Sequence, residues 1–372
     1  MADSEGPRIS ATMSDGSAPR RSGNEARGRP RRMSLAYSGS MRDPDDMTLD
    51  GRGHHREGNT ARLNLPGMKL LPSPARKHLR RQVFAVLSRD APAPDYDAPL
   101  GDPGLFGPDS VTWKLHADFP SMMAGGLASL MLQALHPLAL AGVWDHSAFR
   151  TDTLGRLRNT TAFVGRTTYA PRAPAEAAIE HVRVIHHGVR GTAEDGRPYS
   201  ADDPHLLAWV HCAGCWCFLR AYERYCHAPV PRPMQDRYLA EMTLIAEALG
   251  AHDVPRSTAE LDSFFARVRP ELVFDACTRE TLRVLGSIRL PIPFAGFSRD
   301  LFLGSAAALL PGWALDLMER SSLQRLRDRG AARALQLIAP SVRDAMAEGG
   351  LAWRACRRTG ADYEALYRWD GA

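Results

Sequence analysis

From residue 109 onward, apolar positions recur every three or four residues, and the two-residue alternation of a half-buried strand is nearly absent. The helical period runs through "TLGRLRNTTAFVGRTTY", "PAEAAIEHVRVIHHGVRG", "DPHLLAWVHCAGCWCFLRAYERYC", "PMQDRYLAEMTLIAEALG" and "STAELDSFFARVRPELVF". It resumes over about 296–320 and 322–347. Pro174, Pro204 and Pro233 sit near the predicted helix starts, where a missing N–H costs nothing. Gly191 and Gly250 sit at predicted helix ends, where a left-handed cap suits glycine. Asp109-Ser110 and Asp203 supply cap signals ahead of "VTWKLHAD" and "PHLLAWV". The pattern predicts an all-α fold.

The segment Ser121–Trp144 carries no Asp, Glu, Lys or Arg, and its length would suit a membrane span. Gln133 and His136 interrupt it, and Pro137 should break it, so a buried helix pair is expected. Upstream, "PARKHLRRQVFAVL" from Pro74 reads as a basic amphipathic helix, of a kind that suits peripheral contact with an anionic membrane. A Pro/Gly-rich loop follows. Residues 1–67 are rich in Gly, Ser, Arg, Asp and Pro and cannot bury enough surface to offset ordering entropy. The expected organisation is a disordered basic tail over 1–67 and one large helical domain over 68–372. Met33, Met41 and Met47 within the tail, and Met68 at the start of the domain, are possible internal starts. Arg20-Arg21-Ser22 and Arg31-Arg32-Met33-Ser34 lack the apolar run that a twin-arginine signal needs.

Composition narrows this picture only a little. The chain has 372 residues, 44% apolar and 24% charged, as in an ordinary soluble protein. The net charge of +5 is modest, and no nucleic-acid recognition motif appears, so no specific nucleic-acid partner is expected. Arginine dominates over lysine and alanine is abundant, which points to a GC-rich bacterial source. Six cysteines form no disulfide-like framework, so reduced thiols and a cytoplasmic setting are expected. Cys212-x-x-Cys215 has no second pair to complete a zinc site, and packing is its expected role.

The candidate chemistry begins with His181, His186 and His187. A helix from Pro174 puts Ile179, Val182, His186 and Val189 on one stripe, with His181 and His187 off it. An inward imidazole needs hydrogen-bond partners or a metal. None of the thirteen histidines follows a Glu by three residues, which argues against a di-iron carboxylate site. The zincin, nucleophile-elbow, P-loop and dinucleotide motifs are absent. A single axial His is what haem iron requires, and spacing leaves open both that and a hydrogen-bonded core histidine. On the preceding helix, Arg156, Thr160 and Phe163 share a face. Arg156 could face a ligand there or pair with a surface carboxylate.

Several blocks in order carry a resemblance: "LHPLALAGVWDHSAF", "GRLRNTTAFVGRTTYA", "IHHGVRGTAEDGRPYSADDPHLLAWVH", "AYERY" and the late "LLPGWALDLM". Together they resemble the MpaB / latex-clearing-protein oxygenase family over roughly Asp109 to Ile338. The resemblance implies a globin-related helical core holding one b-type haem, with oxidative cleavage of an isoprenoid double bond by O2. It implies His186 as the proximal iron ligand and Arg156 and Thr160 on the distal side. The family's distal Lys falls on Asn159, a poor iron ligand, which would leave the sixth position open. Arg190, four residues after His186, would suit a haem propionate or a nearby carboxylate. His136, Asp145, His146 and His211 are further candidates for pocket contacts. The expected partners are a small hydrophobic substrate and O2. A non-catalytic helical binder of haem or lipophilic molecules is the alternative reading.

Overall fold

The computed structural model describes residues 70–87, 93–226 and 229–369. The tail expected over 1–67 lies outside the described residues. Among the described residues the regular structure is fourteen α-helices, short 3-10 turns and one small hairpin, so the all-α expectation is borne out. The basic helix is α1 (Ser73–Leu87), which packs on α13 (Ser322–Ala347). The loop after it leads to α2 (Val111–His116), where the Ser110 hydroxyl accepts from the Trp113 N–H as a cap.

The charge-free segment forms α3 (Phe119–Gln133) and α4 (Pro137–His146). These bend by 105° at the break before Pro137, and no single described helix is long and apolar enough to cross a membrane. Helix α3 is a core helix, packed chiefly on α7 (Pro204–Tyr225) and then on α11 (Ala295–Ala307). Close approach is the reason for its small residues. A Cβ on Gly125 would stand 3.0 Å from the Cys217 carbonyl oxygen and 3.1 Å from Ala221. Below α3, Asp118 and Arg343 form an ion pair in which both side chains are almost fully buried. Arg343 also donates to the Tyr225 carbonyl at 3.2 Å.

Helices α5 (Thr153–Tyr169) and α6 (Arg172–Gly188) follow, then the hairpin β1 (Arg190–Thr192) and β2 (Pro198–Ser200). The antiparallel register pairs Gly191 with Tyr199. Gly191 is therefore not a helix cap as its position suggested. Helix α6 ends three residues earlier, and Gly191 is required because a Cβ there would lie 2.5 Å from the Tyr199 hydroxyl oxygen. Gly250 does take the left-handed cap, with φ 106°, at the end of α8 (Arg232–Leu249). Further on come α9 (Thr258–Val268), α10 (Ala276–Gly286) and α11. The run expected over 296–320 is two helices, α11 and α12 (Gly312–Leu317), because Pro311 restarts the chain. Helix α14 (Leu351–Thr359) follows α13. All six cysteines remain thiols, five of them buried, and burial pushes the thiols of Cys215, Cys226 and Cys356 up to about 12.

Candidate functional site

Helices α5 and α6 are joined by Ala170-Pro171 and pack together, an αα-hairpin that sets the first turns of α5 beside the last turns of α6. Asp152 opens α5 by accepting from the Gly155 N–H at 2.9 Å. Arg156 comes one turn later. It is half-buried, and among the described residues no carboxylate pairs with it. Burial alone pulls its pKa below the usual arginine range.

His186 lies in the last turn of α6, half-buried, on the stripe shared with buried Ile179 and half-buried Val182 and Val189. Its Nδ1 is buried with no hydrogen-bond partner. Burial pushes its pKa down, and the nearby Arg156 charge pushes it down further, while Asp202 opposes. The imidazole is thus held neutral, with a lone pair available to a metal. Arg156 and His186, placed on separate helices by the sequence, are brought within electrostatic reach of each other. His181 and His187 are exposed, as the helical offset predicted.

Thr160 and Asn159 are exposed, and the Thr160 hydroxyl donates to the Arg156 carbonyl at 3.2 Å. Leu154 and Leu157, on either side of Arg156 in sequence, pack with Val143 against a second apolar cluster of Phe149, Val284, Leu285 and Ile288.

Arg190 finds a carboxylate. Its Nη2 donates to Asp202 Oδ2 at 3.1 Å, and His187 Nδ1 meets the same oxygen at 3.0 Å. The Ser200 hydroxyl also donates to Asp202 and is the first cause of the Asp202 carboxyl being lowered to about 2. Asp202 was missed in the sequence. Its neighbour Asp203 takes the cap of α7, accepting from His205 and Leu206 N–H groups, and so leaves Asp202 for the α6 side. The signal was a doubled Asp where one cap suffices.

Asp145 and His146 serve the hairpin. The Tyr199 hydroxyl donates to Asp145 at 2.6 Å, and His146 Nε2 lies 3.0 Å from the Arg190 carbonyl. Val189 and Tyr199 pack beside Gly142 of α4, where a Cβ would stand 3.6 Å from Val189 and 3.8 Å from the Tyr199 ring. His211 is not brought to His186; its Nε2 lies 3.4 Å from Cys215 Sγ within α7. His136 joins a different group, with His205 and Glu271, whose ligand atoms lie within 4.8 Å of one another.

Residues 113–343 match the family described as "ER-bound oxygenase mpaB/B'/Rubber oxygenase, catalytic domain". The chain belongs to this family. The mpaB/rubber oxygenase domain spans from α2 into α13 and includes Arg156, His186 and both partners of the Asp118–Arg343 pair. Membership identifies the protein with an oxygenase catalytic domain. No curated protein and no solved structure matches the chain.

Proposed function

We propose that this protein is a haem b-dependent oxygenase that cleaves or oxygenates a hydrophobic, isoprenoid-like alkene with O2. The observation that carries the reading is the packing of α5 on α6, which sets half-buried Arg156, with no carboxylate partner among the described residues, within electrostatic reach of half-buried His186, whose Nδ1 has no hydrogen-bond partner. A haem site needs an axial imidazole, apolar walls and cations for its propionates. His186 and the Leu154/Leu157/Val143 cluster fit the first two needs in kind, while the nearby cation Arg190 is exposed and already paired with Asp202. His186 would hold the iron, and Arg190 would meet a propionate in exchange for Asp202. When bound, haem supplies the O2 chemistry that side chains lack.

The chain's own residues do the rest. Arg156 offers N–H donors to dioxygen or to a carbonyl oxygen developing on the product. The Thr160 hydroxyl can turn from its backbone partner to assist, and Asn159, exposed on α5, would offer the iron no strong ligand. The apolar cluster excludes water and favours an alkene over a polar substrate.

The test is the visible spectrum of protein expressed with haem supply, before and after dithionite. A Soret band lost in His186→Ala is the expected result. A variant with an unchanged haem spectrum overturns the ligand assignment. A colourless protein that also fails to take up added haem overturns the oxygenase mechanism and leaves a helical binder of lipophiles. Product masses then separate cleavage from oxygen insertion.

A further inference from the structure

The corner between α3 and α4 holds a second cluster of ligating side chains that involves none of His186, Arg156, Thr160, Asn159 and Arg190. His136 is the residue before α4, and its imidazole is fully buried. Neither ring nitrogen has a hydrogen-bond partner. The ring packs near Trp209 and His205, each at 6.1 Å between centroids. His205 comes from the first turn of α7, and Glu271 closes the 3-10 turn Arg269–Glu271 after α9. Three separate elements thus deliver two imidazoles and one carboxylate to one place.

The backbone fixes this arrangement. Val273 N–H donates to the Leu135 carbonyl at 2.8 Å, and Thr278 Oγ1 donates to the Ala134 carbonyl at 3.2 Å. These bonds hold the Glu271 segment against the corner. Arg197 is a cation that His136 and Glu271 both feel, but its guanidinium is committed to Asp195 at 2.7 and 2.9 Å.

The distances are those of a coordination shell. Metal bonds of about 2.0–2.1 Å in a tetrahedron put neighbouring ligand atoms about 3.3–3.4 Å apart. Glu271 Oε2 lies 3.4 Å from His136 Nε2 and 3.3 Å from His205 Nε2. Two edges of the tetrahedron are already in place. Ordinary hydrogen bonding to Glu271 accounts for His205, but it leaves the fully buried His136 with Nδ1 unpartnered and with Nε2 in a 3.4 Å contact to the same carboxylate that falls short of a well-formed hydrogen bond.

We propose that His136, His205 and Glu271 bind a divalent transition-metal ion of the zinc class. Two imidazoles and a carboxylate suit such an ion, and the half-exposed His205 and Glu271 leave water access for a fourth ligand. The metal would tie the starts of α4 and α7 to the segment after α9.

The test uses the full chain, stripped by a chelator and then titrated with Zn2+. Wild type should bind one more equivalent than Glu271→Gln or His205→Gln, two half-exposed positions whose replacement leaves the core intact. Its Tm should rise by about 5 °C at a hundredfold excess over Kd, and the variants' Tm should not. Co2+ should give visible d–d bands without a thiolate charge-transfer band. Binding should persist in His186→Ala, so that failure of the haem assignment and failure of this one are told apart. Equal metal content in wild type and both variants overturns the proposal. So does a thiolate band that survives Glu271→Gln, which would place the metal on Cys212 and Cys215.

Discussion

Arg156 presents its N–H donors in a half-buried setting with no carboxylate among the described residues to receive them. A purely structural arginine rarely stays so, because desolvating a guanidinium without a partner is costly. Arg156→Ala should therefore leave the haem spectrum intact and lower turnover by about 10- to 100-fold, the worth of one charge-assisted hydrogen bond. Steady-state kinetics beside the Soret absorbance checks this, and unchanged turnover would remove Arg156 from the reaction. Much of this pair was legible in the sequence. The three-four spacing placed Arg156 on one face and His186 on the apolar stripe. The spacing could not tell a ligand-facing arginine from a paired one, since that depends on which carboxylates the fold brings near. Glu271 was illegible for the same reason, and Asp202 showed only as a doubled Asp whose partner the sequence could not name. Asp202 meets His187 across fifteen positions, and Glu271 meets His205 across sixty-six.

At the scale of elements, the helix that carries His186 is fastened at its end rather than left to fray. The Ala201 N–H donates to the Val189 carbonyl at 2.9 Å, and Tyr199 anchors the hairpin to Asp145. Gly191 is the tight point. Gly191→Ala would force the Tyr199 ring away and strain its bond to Asp145, at a cost of about 1–3 kcal/mol. The expected result is faster amide exchange over residues 189–201, with the rest of the chain unchanged. Uniform exchange in both proteins would show that the ring yields without cost. The helices themselves were readable because proline and cap residues punctuate them: Pro137 ends one helix and opens the next. The hairpin was not readable, because three-residue strands carry too little alternation to register. Pro311 within an apolar run was a visible break that the longer helical period concealed.

At the scale of the whole molecule, stability rests on a few buried polar contacts between distant segments. Asp118 and Arg343 join the start of α3 to α13 across 225 positions. Removing one partner strands a buried charge, so Asp118→Ala should destabilise the fold by about 3–5 kcal/mol, read as a lowered urea midpoint. An unchanged midpoint would mean that water reaches Arg343. His116 sets a pH limit. Its nitrogens lie 2.9 Å from Thr168 Oγ1 and 3.0 Å from the Tyr238 hydroxyl, and burial pushes its pKa down from 6.5 to about 3. Between those values the unfolded chain binds the extra proton. Stability from this residue is therefore full above pH 6.5 and declines as pH falls towards 3, by up to about 1.4 kcal/mol per pH unit. Urea midpoints at pH 7 and pH 5 should separate in wild type more than in His116→Gln, and equal separations would count against the burial argument.

The buried thiols have a consequence for an enzyme that handles dioxygen. Sulfenic acid forms from the thiolate, and a thiol raised to about 12 is ionised in only about one molecule in ten thousand at pH 8. These three buried sulfurs are thus chemically quiet towards stray oxidant released within the fold, and the half-buried Cys277, raised only to about 11, is the thiol that ages before them.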